Sequence, residues 1–488
     1  MIHIDLSSKR ARMALRFFTY GVMTFATVTL TSLAILFAMG YRFNQDSLAF
    51  EQGGLMQFRS TPEGATITLD GKAQRFKTPG RANVPAGTHT VGMSLNGYHA
   101  WNKTVSLQPG QLLWLNYVRF IPTSVTTSPI RSFEAMAGAM ASPDRRWLLL
   151  HEKVEQPTFA IVDVADEKNP QFTNITIPDS QLTKKDDKFG QFSIVEWDLG
   201  SRYMLIKHQN GDVTEFIRID RTRPQEATNI SQLFQLNIIE AHFAGSTPNV
   251  IYAKTSDVLR RLDISASSAS AALVTNLRQF VVYGDDTVAF VAEQEETAGN
   301  PASKQQVVGI YERDEAKIAR TFPLDNPIRI AYAEYFQHTY LAVSDEAGVT
   351  QLIRDPQTSS SKQVTKLELG KRADWLKFSN NGRMLVSGSG NSLLTYDLEL
   401  NETYTKTLDF GVPITQPLNW LDDYYLWTDA GGRLRVVEFD GTNDHEITTV
   451  APGYIVNLSQ NGRALFSIDK NTVTNTFVLQ SSKLFIED

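Results

Sequence analysis

An apolar strand, a polar turn and a second, strongly apolar strand recur along most of this chain, and that recurrence restricts its fold more than any other feature. The copies are ASPDRRWLLLHE from Ala141, EWDLGSRYMLIKH from Glu196, AHFAGSTPNVIYAK from Ala241, FVVYGDDTVAFVA from Phe280, AEYFQHTYLAVS from Ala333, KFSNNGRMLVSG from Lys377, NWLDDYYLWTD from Asn419 and NLSQNGRALFSI from Asn457. The most legible copy continues through a Gly390-Asn391-Ser392 turn into a third alternating strand ending at Asp397 and Leu398. From Asp144 to Asn461 there are 317 residues over seven intervals, a mean near 45. That matches the roughly 40 to 45 residues of a four-stranded propeller blade. A sandwich does not repeat one unit so regularly, and an α/β fold needs helical periods that are not found here. Residues 131–488 number 358, which gives about 45 per blade for eight blades and 51 for seven. The expectation is therefore a seven- or eight-bladed β-propeller, with eight favoured.

The N-terminus is of a different kind. Between Arg16 and Arg42 lie 25 residues without a charge, from Phe17 to Tyr41. As a helix rising about 1.5 Å per residue they exceed the roughly 30 Å hydrocarbon thickness of a bilayer. The threonines at 19, 24, 27, 29 and 31 are tolerable because a Thr hydroxyl can bond the carbonyl one turn back. Lys9, Arg10, Arg12 and Arg16 precede the span and only Arg42 closely follows it, so the positive-inside bias keeps the N-terminus in the cytoplasm. These four residues are the expected determinants of topology. The body is then extracytoplasmic, at the cell surface or in the periplasm. A cleaved signal peptide competes with this reading, but its apolar region is typically about 7 to 15 residues.

Residues 55–120 change character again, with short apolar stretches broken by turn chemistry. Thr66-Ile67-Thr68-Leu69 alternates and runs into Asp70-Gly71, a dipeptide suited to a tight hairpin. Thr78-Pro79, Pro85-Ala86-Gly87 and Asn96-Gly97 mark further turns. Ser60-Thr61-Pro62-Glu63-Gly64-Ala65, followed in order by Asp70-Gly71, Thr78-Pro79, Pro85 to His89, Gly97-Tyr98 and Trp101, resembles a PEGA domain. The one departure is Gln74-Arg75-Phe76-Lys77 before Thr78-Pro79, where that family usually has a small residue. The resemblance implies a compact, generally non-enzymatic β-domain of bacterial envelope proteins. Beyond it the turns at Ser142-Pro143-Asp144, Ser379 to Arg383 and Ser459 to Arg463 resemble those of TolB-like and WD40-like propellers, which serve as binding platforms, lids or scaffolds.

The expected organisation is a basic tail (1–16), a transmembrane helix (17–41), a juxtamembrane linker (42–54), a PEGA-like β-sandwich (55–120), a Pro/Ser/Thr-rich linker (121–130) and a propeller (131–488). The body is all-β behind one N-terminal transmembrane helix.

Little in the sequence advertises chemistry. A net charge of −6 supplies no basic field for nucleic acid, and the absence of cysteine excludes a disulfide framework, a cysteine zinc site and a thiol nucleophile. No two of the eight histidines have the spacing of a metalloprotease helix, and Ser387-Gly388-Ser389-Gly390 lacks the spacing of a serine-hydrolase elbow. No catalytic residue, cofactor or metal is expected. Asp285-Asp286, Asp422-Asp423 and Asp440 to Asp444 could gather calcium, but none has EF-hand spacing and solvated hairpin turns are expected. Trp420, Asp422, Asp423 and Tyr424 lie in the densest aromatic stretch. They are the candidate ligand-binding residues, against a competing reading as ordinary hairpin packing. The expected function is that of a non-enzymatic membrane-anchored envelope protein displaying a propeller to a protein or glycan partner. The alternative is an extracytoplasmic hydrolase with its site in the propeller funnel, favoured by two carboxylates or a histidine pair within roughly 10 Å there.

Overall fold

A computed structural model describes residues 9–38, 41–44, 49–185, 189–295, 304–358 and 363–486, which group into two units, Met1–Ser124 and Val125–Asp488. Residues 1–8 of the basic tail, which include His3, 39–40 of the expected transmembrane helix, 45–48 of the expected juxtamembrane linker, and 186–188, 296–303, 359–362 and 487–488 of the expected propeller lie outside the described residues.

The first unit opens with a helix, Lys9–Ala38, which contains a span long and apolar enough to cross a membrane, Met13–Phe37, none of it buried. The helix thus starts earlier than Phe17, takes in Lys9, Arg10, Arg12 and Arg16, and ends before Tyr41, which begins strand Tyr41–Asn44. Thr27 Oγ1 donates to the Met23 carbonyl at 2.8 Å and Thr19 does the same to Leu15, so these hydroxyls are satisfied within the helix.

Two four-stranded sheets follow. One joins Tyr41–Asn44, Ala49–Thr61, Gly80–Pro85 and Leu112–Arg119; the other runs Lys72–Lys77, Thr66–Leu69, Gly87–Ser94 and Trp101–Leu107. The stretch expected as a juxtamembrane linker is largely strand, because residues 49–54 extend the central strand of the first sheet. Met56, Phe58, Ile67, Val91, Met93, Trp101 and Leu115 form the buried layer between the sheets. The Pro62 to Ala65 segment folds onto Thr78. Thr78 Oγ1 accepts from the Ala65 amide at 2.9 Å and shares a hydrogen bond of 2.7 Å with Ser60 Oγ, and the Gly64 amide donates to the Thr78 carbonyl at 2.8 Å. Glu63 is a surface carboxylate 3.2 Å from Arg59.

The second unit is eight four-stranded antiparallel sheets in chain order, the blades of a propeller. Blades 1 to 7 comprise residues 138–176, 191–229, 240–269, 277–323, 329–368, 375–407 and 419–449. Blade 8 takes three strands from the C-terminus, Val456–Leu458, Ala464–Asn471 and Thr476–Lys483. Its fourth is Thr126–Phe133, which pairs antiparallel with Thr476–Lys483. The expected 121–130 linker is therefore corrected: from Thr126 it is the strand that closes the ring. Its Pro/Ser/Thr composition is that of an outer edge strand, where proline removes no ladder bond that matters. Apolar clusters fill the space between successive blades, as where Phe159, Phe192, Trp197 and Ile206 pack together across blades 1 and 2.

Candidate functional site

The turn between the first two strands of a blade is built one way in several copies. Ser142 Oγ receives the Trp147 amide while Asp144 Oδ1 receives that of Arg146; Ser379 with Asn381, and Ser459 with Asn461, repeat the pattern. Asp198 makes the equivalent bonds alone in blade 2, accepting from the amides of Arg202 and Tyr203 at 2.7 and 2.6 Å. An arginine just after the turn then clasps an aspartate at the end of the third strand, in Arg146–Asp163, Arg202–Asp220 and Arg383–Asp397, at 2.6 to 2.7 Å. Burial alone would raise the Asp220 carboxyl, but the hydrogen bonds from Arg202 and Thr222 outweigh it and hold it at about 2.

The acidic and aromatic stretch singled out in the sequence belongs to this scaffold. Asp422 Oδ1 accepts from the Tyr424 and Tyr425 amides at 2.9 Å, which closes the blade 7 turn. Asp423 reaches back to blade 6, where its Oδ1 accepts the Asn381 amide at 3.0 Å, and burial raises its carboxyl above the usual range. Trp420 packs against the core between blades 6 and 7, and Tyr424 lies beneath the Arg383 guanidinium, 5.9 Å from its ring centre. Asp285 likewise braces blade 3 by accepting from Ser246 N and Oγ at 2.6 and 2.8 Å. Around Asp440, Oδ1 accepts from Thr442 N and Oγ1, Asn443 donates to Glu438, and Asp444 pairs with Arg435 at 3.0 Å. Among the described residues no group of three or more His, Asp or Glu is arranged to hold a metal ion.

The concave feature that gathers titratable groups lies elsewhere. A cavity of about 630 Å³ is lined by first-strand residues of blades 2, 3 and 4, including Glu196, Trp197, His242, Phe243 and Phe280 to Tyr283. Turn residues Leu199, Gly245, Gly284 and Asn380 complete it; Asn380 comes from blade 6, so the cavity reaches across the centre of the ring at the end bounded by these turns. His242 is one of its lining residues. Its Nδ1 faces Glu196 Oε2 at 2.9 Å, its Nε2 faces Glu240 Oε1 at 3.3 Å, and Phe280 meets the ring edge-on at 5.4 Å. Both partners are acceptors, so the ring donates from both nitrogens. Burial opposes its charge, but the two carboxylates more than offset that cost and raise His242 to about 9. Glu196 Oε1 also accepts the Phe243 amide at 2.5 Å, which fixes the carboxylate.

Sequence spacing hid this cluster because its members lie on different blades. The signal was available by aligning the copies on their turns: Glu196, Lys377, Asn419 and Asn457 stand two residues before the amide that opens the turn, and His242 stands two residues before the end of its first strand. That position is the innermost strand's contact with the next blade. Lys377 Nζ donates to Asn419 Oδ1 at 2.6 Å across blades 6 and 7, and burial lowers the lysine; Asn457 Nδ2 donates to the Arg145 carbonyl of blade 1 at 3.0 Å.

Comparison with known proteins finds a family match within the first unit and several solved structures to which the chain is similar. The PEGA domain family matches residues 54–119. Among solved structures the chain is similar to dipeptidyl peptidase 4 of Porphyromonas gingivalis, at 12% identity over 70% of this chain and 57% of that one, with a TM-score of 0.46. It is similar also to oligogalacturonate lyase from Vibrio parahaemolyticus, at 7% identity over 59% of this chain and 88% of that one, with a TM-score of 0.38. A third is the Cps50 (Swd1) β-propeller domain of Myceliophteria thermophila, at 12% identity over 74% of this chain and 99% of that one, with a TM-score of 0.38. No curated protein sequence matches the chain. Residues 54–119 are a PEGA domain, and the propeller follows it.

Proposed function

We propose that this is a membrane-anchored envelope protein whose propeller binds a partner without transforming it, through the mouth of its central cavity. The observation that carries the reading is the state of His242. An imidazole that donates both N–H groups to carboxylates and titrates near 9 holds its proton at neutral pH, so it cannot serve there as a general base. What it leaves is a polar rim of carboxylate oxygens beside Trp197, Phe280 and Tyr283, a surface suited to aromatic and hydrogen-bonded contact. Residues 125–488 hold 35 basic against 48 acidic residues, a net −13 that favours a partner with a basic segment over an acidic one. The partner is then a protein rather than a neutral glycan. The anchor reading places the N-terminus in the cytoplasm and the propeller outside, on the bias of Lys9, Arg10, Arg12 and Arg16.

A hydrolase is the second reading, because Glu196 and Glu240 do sit on the two sides of one imidazole in the ring's centre. It requires one of the carboxylates to be released from the histidine when substrate enters. A photo-reactive residue at Leu199, 63% exposed at the mouth, separates the readings when compared with one at Val473, 93% exposed away from the cavity. Binding predicts an intact partner captured from membranes at 199 and not at 473. Equal capture at both positions, or none at 199, rejects the mouth as the site.

A further inference from the structure

The first sheet of the PEGA sandwich turns one face away from the buried layer, and that face mixes apolar, amide and basic residues. In register, Arg81, Gln57 and Trp114 stand side by side on three adjacent strands, and Asn83, Leu55 and Leu112 form the next row. Alternate residues of a strand point to opposite faces. The intervening Met56, Phe58, Val84, Leu113 and Leu115 are buried, so these rows look outward, with Trp114 41% and Leu112 40% exposed. Arg59 continues the same face of the central strand, beside the Glu63 carboxylate. Of the basic residues here, Arg59 and Arg81 lie on this face, while Lys72, Arg75, Lys77 and Lys103 lie on strands of the other sheet. Residues 42–124 hold eight basic against four acidic residues, a net +4, in contrast to the −13 of residues 125–488.

The sheet is also tied close to the apolar helix. Helix Lys9–Ala38 ends three residues before strand Tyr41–Asn44, so the sheet begins within about 10 Å of the helix end. Trp114 pairs with Gln57, five residues past Gln52, the last residue paired to that first strand; this places it about 17 Å farther along the sheet. A sheet standing on end would hold Trp114 above a headgroup layer only about 5 to 8 Å deep. A sheet lying on this face sets a tryptophan, two leucines and two arginines into that layer together.

We propose that this face, Arg59, Arg81, Leu112 and Trp114 foremost, lies on an anionic bilayer surface beside the helix. The proposal rests on the helix being a membrane span. Tryptophan favours the headgroup layer, and each arginine near an anionic surface contributes about a fivefold factor to the lipid-bound population. The chain has no cysteine, so a single environment-sensitive label can be placed at will in the full-length protein in nanodiscs. Leu112→Cys reports on the proposed face, and Thr104→Cys reports on an exposed position of the other sheet. With phosphatidylglycerol, spin-labelled lipid should quench the label at 112 several-fold more than at 104. Arg59→Gln with Arg81→Gln should lower the lipid-bound ratio about 25-fold, as should replacing the anionic lipid by phosphatidylcholine. Equal quenching at 112 and 104, or quenching indifferent to both lipid charge and the arginines, overturns the proposal. Protection at 112 that grows with the number of proteins per disc assigns the face to a second copy and overturns it as well. Failure of the chain to enter nanodiscs at all removes the span, and the proposal with it.

Discussion

Replacing Glu196 by glutamine takes from His242 the nearer of the two carboxylates that hold its proton. The imidazole is raised from 6.5 to about 9, and each unit is worth about 1.4 kcal/mol, so the full shift corresponds to about 3 kcal/mol. The ring is 31% exposed and solvent screens the pair, which reduces this to about 1 to 2 kcal/mol. The folded value lies above the unfolded one, so the stabilisation is complete below pH 6.5 and is lost as pH rises from there through 9. In the full-length protein this should appear as a melting temperature that falls by about 1 to 3 °C between pH 6.5 and 9.5, with Glu196→Gln and His242→Gln both flattening the trend. Titration of the histidine Cε1–Hε1 resonances, assigned by loss of one signal in His242→Gln, reads the group directly. A midpoint near 9 in the wild type, falling in Glu196→Gln, is expected. A wild-type His242 titrating at or below 6.5 would refute the claim that it is a clasped cation, and with it the reason for setting catalysis aside.

Three further expectations concern the scaffold. Gly388 lies against Trp375 in blade 6, where an added Cβ would stand 2.4 Å from Cζ2, so Gly388→Ala should cost about 1 to 3 kcal/mol in thermal or urea unfolding. Phe133, 3% exposed at the end of the closing strand, should cost about 3 to 5 kcal/mol as Phe133→Ala and increase amide exchange first in Thr476–Lys483; exchange rising elsewhere first would contradict closure by this strand. Glu215 is buried, takes hydrogen bonds from His208, Thr183 and Gln232, and is held at about 2 although its burial would raise it. Its contribution is present above pH 4.5 and lost as pH falls from there toward 2, so acid unfolding of Glu215→Gln should show a shallower slope over that range than the wild type.

The ring was legible because its information is periodic. Turns such as Ser379-Asn380-Asn381-Gly382-Arg383 repeat a local hydrogen-bond pattern, and Gly382 at φ +76° lets the turn approach the Glu334 carbonyl of the preceding blade, where a Cβ would come within 2.2 Å. The turn's own hydrogen bonds span two to five residues and leave a mark that can be read and counted. Closure is not local: Thr126–Phe133 meets its partner across some 350 residues, and an outer strand exposed on its edge needs no alternation to announce it. The PEGA motif was readable for the same reason as the turns, since Ser60, Ala65 and Thr78 form one small hydrogen-bonded knot.

Site residues divide along the same line. Asp422 and Asp423 stood out because two adjacent acids are visible in a sequence, yet their oxygens close a turn and brace blade 6. Glu196 and His242 are 46 residues apart, a single repeat, and were unremarkable alone. Only superposing the copies shows that this first-strand position is polar in blades 2, 3, 6, 7 and 8, and only the ring brings Glu196 to His242 and Lys377 to Asn419.

Photo-crosslinking from position 199 in membranes, with the wild type and Glu196→Gln compared, is the most direct test of a binding mouth at the ring's centre. An intact partner captured by the wild type, with yield reduced in Glu196→Gln while the melting temperature at pH 6.5 shifts by no more than about 1 to 3 °C, is the outcome expected. Undiminished capture by Glu196→Gln, or a partner recovered from the wild type as cleaved fragments and from the variant whole, would contradict it.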